Sequence, residues 1–201
     1  MKFKVQSINR HRLTTDGEGV TTLVGLYGCP LECEYCINKD ILHTKPYKEY
    51  TKEALLEILL QDYCYFVATN GGITFGGGES LLHSEAISGL FSILPEFVNV
   101  TLETSLCVPH DKLTSLLEPV HQFIIDIKTM DPVLYQRYTK QSNEAVIRNL
   151  EYIAGQGMQG KCRIRVPYIP GYSDEADIAA SVKWLKDRGF EDIEEFSYII
   201  R

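Results

Sequence analysis

The chain has 201 residues, 44% hydrophobic and 23% charged, with a formal charge of −7. That length supports one buried core, so a single domain over residues 1–201 is expected, and the acidic balance argues against nucleic acid, whose phosphates need a basic face. No apolar run approaches the ~20 residues of a transmembrane helix, and Met1-Lys2-Phe3-Lys4-Val5 alternates like a strand with no signal-peptide core, so no membrane partner is expected. The expected location is the cytoplasm, where thiols stay reduced and clustered cysteines point to a metal.

Residues 20–27, rich in Thr, Val and Leu and ending at Gly28, read as a buried strand running into a loop. Thr51 is a candidate N-cap for a helix with Leu55, Leu56, Ile58 and Leu59 on one face. Five glycines in 71–78 surround a short strand, Ile73-Thr74-Phe75. Beyond it the pattern predicts a helix over 86–94, a strand over 98–104, a helix over 111–117 and an apolar strand over 123–127. Asp131-Pro132 has the N-cap and first-turn proline of a helix start. Ser142 is the expected cap of a helix with Val146, Ile147, Leu150 and Ile153 at helical spacing, stopped by Gly155. A strand over 162–166, a helix opened by Asp174 with Ile178, Val182 and Leu185 inward, and a strand over 193–200 complete the chain. Alternating strands and helices argue for a parallel sheet with crossover helices. About six such units are too few for a closed eight-fold barrel, so the expected fold is α/β, an open partial (β/α)6 barrel with parallel strands.

The chemistry concentrates in Gly28-Cys29-Pro30-Leu31-Glu32-Cys33-Glu34-Tyr35-Cys36. Three thiolates on one compact loop can hold three corners of a cubane cluster and leave the fourth iron for a non-protein ligand. The competing reading is a structural zinc site, which wants four ligands in paired spacing. No second pair exists, and His43 is the only nearby fourth candidate; Cys64, Cys107 and Cys162 stand singly and read as small buried residues. The run Gly76-Gly77-Gly78-Glu79 permits close approach of a ligand, with an acidic side chain behind it, and matches neither nucleotide fingerprint. Glu103 closes one strand, and Asp126 and Lys128, two apart and so on one face, close another. In isolation these glycines and charges also suit an ordinary turn and surface ion pairs.

Taken together and in this order, these features resemble the radical S-adenosylmethionine superfamily over nearly the whole chain. Within it they are most similar to glycyl-radical-enzyme activating enzymes such as the pyruvate formate-lyase activase. Asp16-Gly17-Glu18-Gly19 resembles an activase Asp-Gly-Pro-Gly, Asp126-Ile127-Lys128 an Asp-Leu-Lys, and Arg163-Ile164-Arg165 with Ile169-Pro170-Gly171-Tyr172-Ser173-Asp174 an Arg…Val-Pro-Gly-Trp-Ser-Asp stretch. The resemblance implies that Cys29, Cys33 and Cys36 ligate a 4Fe–4S cluster whose fourth iron takes the methionyl amine and carboxylate of S-adenosylmethionine. It implies Tyr35 at the adenine, and Gly77, Gly78 and Glu79 at the methionyl amine. Asp126 and Lys128 would hold ribose and carboxylate, with Arg165 and the backbone near Ile169 completing the pocket. Glu103 and Thr104 would stand beside the methionine and a monovalent cation.

The implied reaction is reductive cleavage to methionine and a 5′-deoxyadenosyl radical, which takes hydrogen from a glycine Cα of a partner enzyme. A flavodoxin or ferredoxin is the implied electron donor. The sequence departs from the activases at Ile37-Asn38-Lys39, where they have His-Asn-Pro, at Ser105-Leu106, and at Tyr198-Ile199, where a Tyr-His pair supplies a cofactor contact. The alternatives are another small radical enzyme, similar to 7-carboxy-7-deazaguanine synthase or to peptide modifiers, and a non-catalytic zinc or iron–sulfur module.

Overall fold

The computed structural model describes residues 2–13 and 15–198, with every side chain in them but those of 41, 43 and 44. Strands β1 (Phe3–Leu13) and β2 (Val20–Leu26) form an antiparallel hairpin. Helix α1 (Lys39–Thr44) follows the cysteine loop, and β3 (Lys48–Tyr50) adds antiparallel to the outer side of β1. The chain continues through α2 (Lys52–Leu59), α3 (Tyr63–Thr69), β4 (Gly72–Gly76), α4 (Ser84–Phe91), β5 (Asn99–Thr104), α5 (His110–Leu117) and β6 (Gln122–Asp126). It ends with α6 (Pro132–Thr139), α7 (Glu144–Gly155), β7 (Cys162–Tyr168), α8 (Glu175–Lys186) and β8 (Ile193–Ser197).

Among the described residues eight strands form one open sheet in the order β3-β1-β2-β4-β5-β6-β7-β8. From β2 to β8 every neighbouring pair is parallel, which gives the six-stranded partial barrel the alternation implied. The two antiparallel strands are an addition at one edge. Strand β3 buries no residue, so no hydrophobic pattern announced it.

One sheet face is apolar: Ile73, Phe75, Val100, Leu102, Phe123, Ile125, Ile164 and Val166 are buried there and pack with Leu59, Ile87, Leu90, Leu113, Leu116, Leu150, Ile153 and Leu185 of the helices. Because strand residues alternate, the other face carries Thr74, Thr101, Glu103, Asp126 and Arg165. That polar face is what the fold leaves available for a ligand. The Asp16 carbonyl accepts a hydrogen bond from Thr74 Oγ1, so the turn between β1 and β2 crosses this face below Glu103.

The helix starts follow their caps. Thr51 Oγ1 accepts from Ala54 N at 3.2 Å, Asp131 from Leu134 N at 2.7 Å, and Asp174 forms a capping box with Asp177. Two expectations need correction. Helix α7 has Asn143 at its N-cap, while Ser142 Oγ accepts from Glu144 N at 3.2 Å just outside it. Cys64 is exposed, because α3 is short and buries only Phe66; Cys162 is buried and Cys107 half-buried. The strand expected over 193–200 is described as β8, and Ile199 and Ile200 lie outside the described residues.

Asp62, fully buried, ties the edge hairpin to the helical layer. Its carboxylate accepts from Arg10 Nε at 2.8 Å and Thr22 Oγ1 at 2.5 Å, and His11 Nε2 lies 3.0 Å away. Burial pushes its carboxyl up, but the bonds from Arg10 and Thr22 outweigh burial and hold it below the usual range. Its stabilisation is therefore present above the unfolded carboxylate pKa and is lost as pH falls through the lowered native value. Asp62→Ala, which orphans Thr22, is expected to cost about 2 kcal/mol and to lower the melting temperature by about 4–8 °C at neutral pH. The same melts run at decreasing pH should show the difference shrinking in acid.

Candidate active site at the carboxyl ends of the parallel strands

The cysteine loop begins where β2 ends. Gly28 has φ +97°, which turns the chain off the sheet, and Tyr27 N donates to Lys4 O at 2.9 Å. Within the loop Cys36 N donates to Cys33 O and Lys39 N to Cys36 O, each at 3.2 Å. Two tethers hold the loop against its neighbours: Glu32 N donates to Thr139 O at 2.9 Å, and Asn38 Nδ2 to Gly77 O at 2.9 Å. Cys33 is buried, and Cys29 and Cys36 are half-buried.

The glycine turn after β4 is stitched to this loop, with Glu79 N donating to Gly28 O at 2.8 Å. A Cβ on Gly78 would lie 2.2 Å from that same Gly28 oxygen, so only glycine lets the two backbones meet. The Glu79 side chain is buried, at 1% exposure, with both oxygens engaged. Oε1 accepts from Leu81 N at 3.1 Å and Thr104 Oγ1 at 2.6 Å; Oε2 accepts from Ser105 N at 2.9 Å and Ser105 Oγ at 2.7 Å. Burial pushes its carboxyl up against the pull of these four donors. Glu79 thus fastens the turn after β4 to the end of β5.

Beside it runs a line of charges across three strand ends. Arg165 NH2 meets Glu103 Oε1 at 2.7 Å, and Arg165 Nε meets Asp126 Oδ1 at 3.3 Å. Lys128 Nζ lies 3.7 Å from Asp126 Oδ2 and donates to Tyr198 OH at 2.9 Å. Burial alone would pull the Lys128 ammonium down; Asp126, Tyr198 and Cys33 raise it well above its ordinary value, so it stays charged. Glu103 is pushed up by burial and pulled back by Arg165. A Cβ on Gly76 would sit 2.2 Å from Glu103 Oε2, so the missing side chain there makes room for the carboxylate. Ile169 is buried, and its N–H donates to Ser173 Oγ at 2.8 Å while its carbonyl accepts from Tyr172 N and Ser173 N.

Aromatic rings wall the opening. Tyr35 packs against Tyr138 and Tyr172 at 6.1 and 6.0 Å between centroids, and Tyr138 packs against Tyr172 at 4.9 Å and Tyr198 at 6.5 Å. Tyr172 OH donates to Glu34 on the cysteine loop, and the Arg137 guanidinium lies 4.8 Å over the Tyr172 ring. The structure therefore brings Cys29, Cys33, Cys36, Tyr35, Gly77, Gly78, Glu79, Glu103, Thr104, Asp126, Lys128, Arg165 and Ile169 to one end of the sheet. Sequence reasoning gave Tyr138, Tyr172, Tyr198 and Asn38 no role in the site, although Tyr172, Tyr198 and Asn38 stand within the stretches compared with the activases.

The donor chemistry fits an iron–sulfur cluster. The three loop cysteines are free thiols, and Lys128, Cys36 and Asp126 are the charged or ionisable groups that act on Cys33. Burial pushes the Cys29 thiol up to about 12, and the Cys33 thiol up as well, opposed by Lys128, so loading must displace protons. Among the described residues no three His, Cys, Asp or Glu side chains are arranged around a single ion. A cubane instead takes each thiolate on a different iron. The His43 side chain, which the zinc reading needs, lies outside the described residues.

Residues 23–185 match the family model of the radical SAM superfamily. The pyruvate formate-lyase 1-activating enzyme of Escherichia coli (strain K12) is 30% identical, over 92% of this chain and 76% of its own. The (2S)-3-sulfopropanediol dehydratase activating enzyme of Klebsiella oxytoca is 28% identical, over 86% of this chain and 72% of its own. Among solved structures, Streptococcus suis SuiB bound to S-adenosylmethionine superposes with a TM-score of 0.66 at 16% identity, covering 85% of this chain and 38% of SuiB, which bears on the fold alone. No helix among the described residues is long and apolar enough to cross a membrane. The family match and these relatives agree with the strand-end site: the chain belongs to the radical SAM superfamily, in its branch of activating enzymes.

Proposed function

We propose that Cys29, Cys33 and Cys36 hold a 4Fe–4S cluster, that the neighbouring strand ends bind S-adenosylmethionine, and that the protein activates a glycyl radical enzyme. The observation that carries this reading is the meeting of the cysteine loop, the Gly77-Gly78-Glu79 turn and the Glu103–Arg165–Asp126–Lys128 line at one end of the sheet. Held by Cys29, Cys33 and Cys36, such a cluster would supply the electron for reductive cleavage of the sulfonium–C5′ bond, to methionine and a 5′-deoxyadenosyl radical.

The chain's own residues orient that cleavage and keep water out. Lys128 and Arg165 are fixed cations for the methionyl carboxylate, and Asp126 between them is an acceptor for ribose hydroxyls. Backbone groups of Gly77 and Gly78 face the methionyl amine. Glu79 serves that contact as a positioning residue, since its oxygens are engaged by Leu81, Thr104 and Ser105. Glu103 and Thr104 stand beside the methionine and a monovalent cation, Tyr35 offers a ring to the adenine, and Ile169 closes the wall. A flavodoxin or ferredoxin delivers the electron, and the substrate is a glycine Cα–H of the partner.

The test uses anaerobic, cluster-loaded protein, S-adenosylmethionine and a glycyl radical enzyme whose glycines carry deuterium at Cα. The expected result is a glycine-centred radical in the partner and one deuterium in 5′-deoxyadenosine. Deuterium-free 5′-deoxyadenosine with no radical on any partner tried, or turnover of a free small molecule alone, would contradict the activase reading.

A further inference from the structure

Helix α6 ends against the cysteine loop: Thr139 O accepts from Glu32 N at 2.9 Å, next to Cys33. The preceding residue, Tyr138, is 1% exposed, and its hydroxyl proton has no acceptor, although the Tyr35 N–H approaches its oxygen. A buried hydroxyl without an acceptor is uncommon and unfavourable, so it marks a place where another group completes the bond. Rings of Tyr35, Tyr172 and Tyr198 enclose it, and the ionisable side chains whose charge reaches it are Tyr198, Cys33 and Lys128. Lys128 has no lone pair to offer, and the Tyr198 oxygen, which accepts from Lys128, takes no bond from Tyr138. The sulfur side of the cysteine loop is left as the acceptor.

We propose that the Tyr138 hydroxyl donates a hydrogen bond to a sulfur at the cluster, the Cys33 thiolate or an adjoining sulfide, and so sets the cluster's reduction potential. The inference rests on the assignment of Cys33 as a cluster ligand. Such bonds stabilise the more negative, reduced cluster and raise its potential. Tyr138 acts through the cluster and is a positioning residue.

Tyr138→Phe removes the hydroxyl and keeps the ring. Four quantities are measured against wild type: the melting temperature of cluster-free protein, iron content after reconstitution, the cluster potential by mediated titration followed by EPR without S-adenosylmethionine, and the affinity of the clustered protein for S-adenosylmethionine. The expected variant melts no lower than wild type, loads the same iron, and has a more negative potential. A lower melt would mean that the hydroxyl has a partner within the protein and would overturn the proposal. An unshifted potential, with weaker S-adenosylmethionine binding or with none of these changes, would overturn it too, the first case assigning the hydroxyl to the nucleoside. A wild type that takes up no cluster would overturn the ligand assignment together with this inference; a clustered wild type confines the failure to Tyr138.

Discussion

Cys33→Ala is expected to bring iron content and visible absorption of the reconstituted protein to background, while Cys64→Ala and Cys162→Ala leave both unchanged. Cys33 sits at the middle of the loop, buried and within the field of Lys128, and Cys29 and Cys36 flank it on the same eight-residue loop. A cluster held at three corners loses a third of its protein ligands with one thiol, and the other cysteines cannot replace it. Cys64 faces solvent on α3, and Cys162 is buried at the opposite, amino-terminal end of β7. Alanine at either of those positions removes a thiol without touching the loop. Iron analysis on the three variants, reconstituted side by side, checks the assignment directly. Equal iron in Cys33→Ala and wild type would remove the loop from the metal chemistry.

Glu79→Ala is expected to be the most destabilising single change at the site. It strips the acceptor from four donors on two elements: Leu81 N, Thr104 Oγ1, Ser105 N and Ser105 Oγ. With those groups buried, a loss of about 3 kcal/mol is expected, or about 6–12 °C in melting temperature for a chain this size. Glu79→Gln keeps one oxygen for Leu81 and Thr104 but turns an amide N–H₂ toward the Ser105 donors, so a smaller loss is expected. Thermal melts of the cluster-free proteins separate this structural role from ligand binding. If Glu79→Ala melts with wild type, the carboxylate is free to meet a ligand directly.

That contrast shows what the sequence could and could not reveal. Motif order placed Glu79 at the site, but its partners Thr104 and Ser105 lie at the end of the next strand and just past it, set by the parallel register of β4 on β5. Five of the six parallel strands were legible because each is a short, mostly apolar run between helical segments, while β8, also expected, buries none of its residues. Of the antiparallel edge only the start of β1 was legible, since β1 loses its buried alternation after Val5 and β3 buries nothing. Asp126 and Lys128 were legible as a same-face pair, whereas Arg165 joining Asp126 to Glu103 depends on β6 pairing with β7 at Asp126 and Arg165. The tyrosine wall was hidden for a different reason. Tyr35, Tyr138, Tyr172 and Tyr198 come from four separate segments, and tyrosine alone carries no spacing signal.

The proposed reaction is reductive cleavage of S-adenosylmethionine at the end of the parallel sheet. The most direct test is to reconstitute the protein without oxygen, reduce it with dithionite and assay S-adenosylmethionine products. Equal amounts of 5′-deoxyadenosine and methionine from wild type, with neither from Cys33→Ala, is the predicted result. A fully clustered wild type that forms neither product would contradict it.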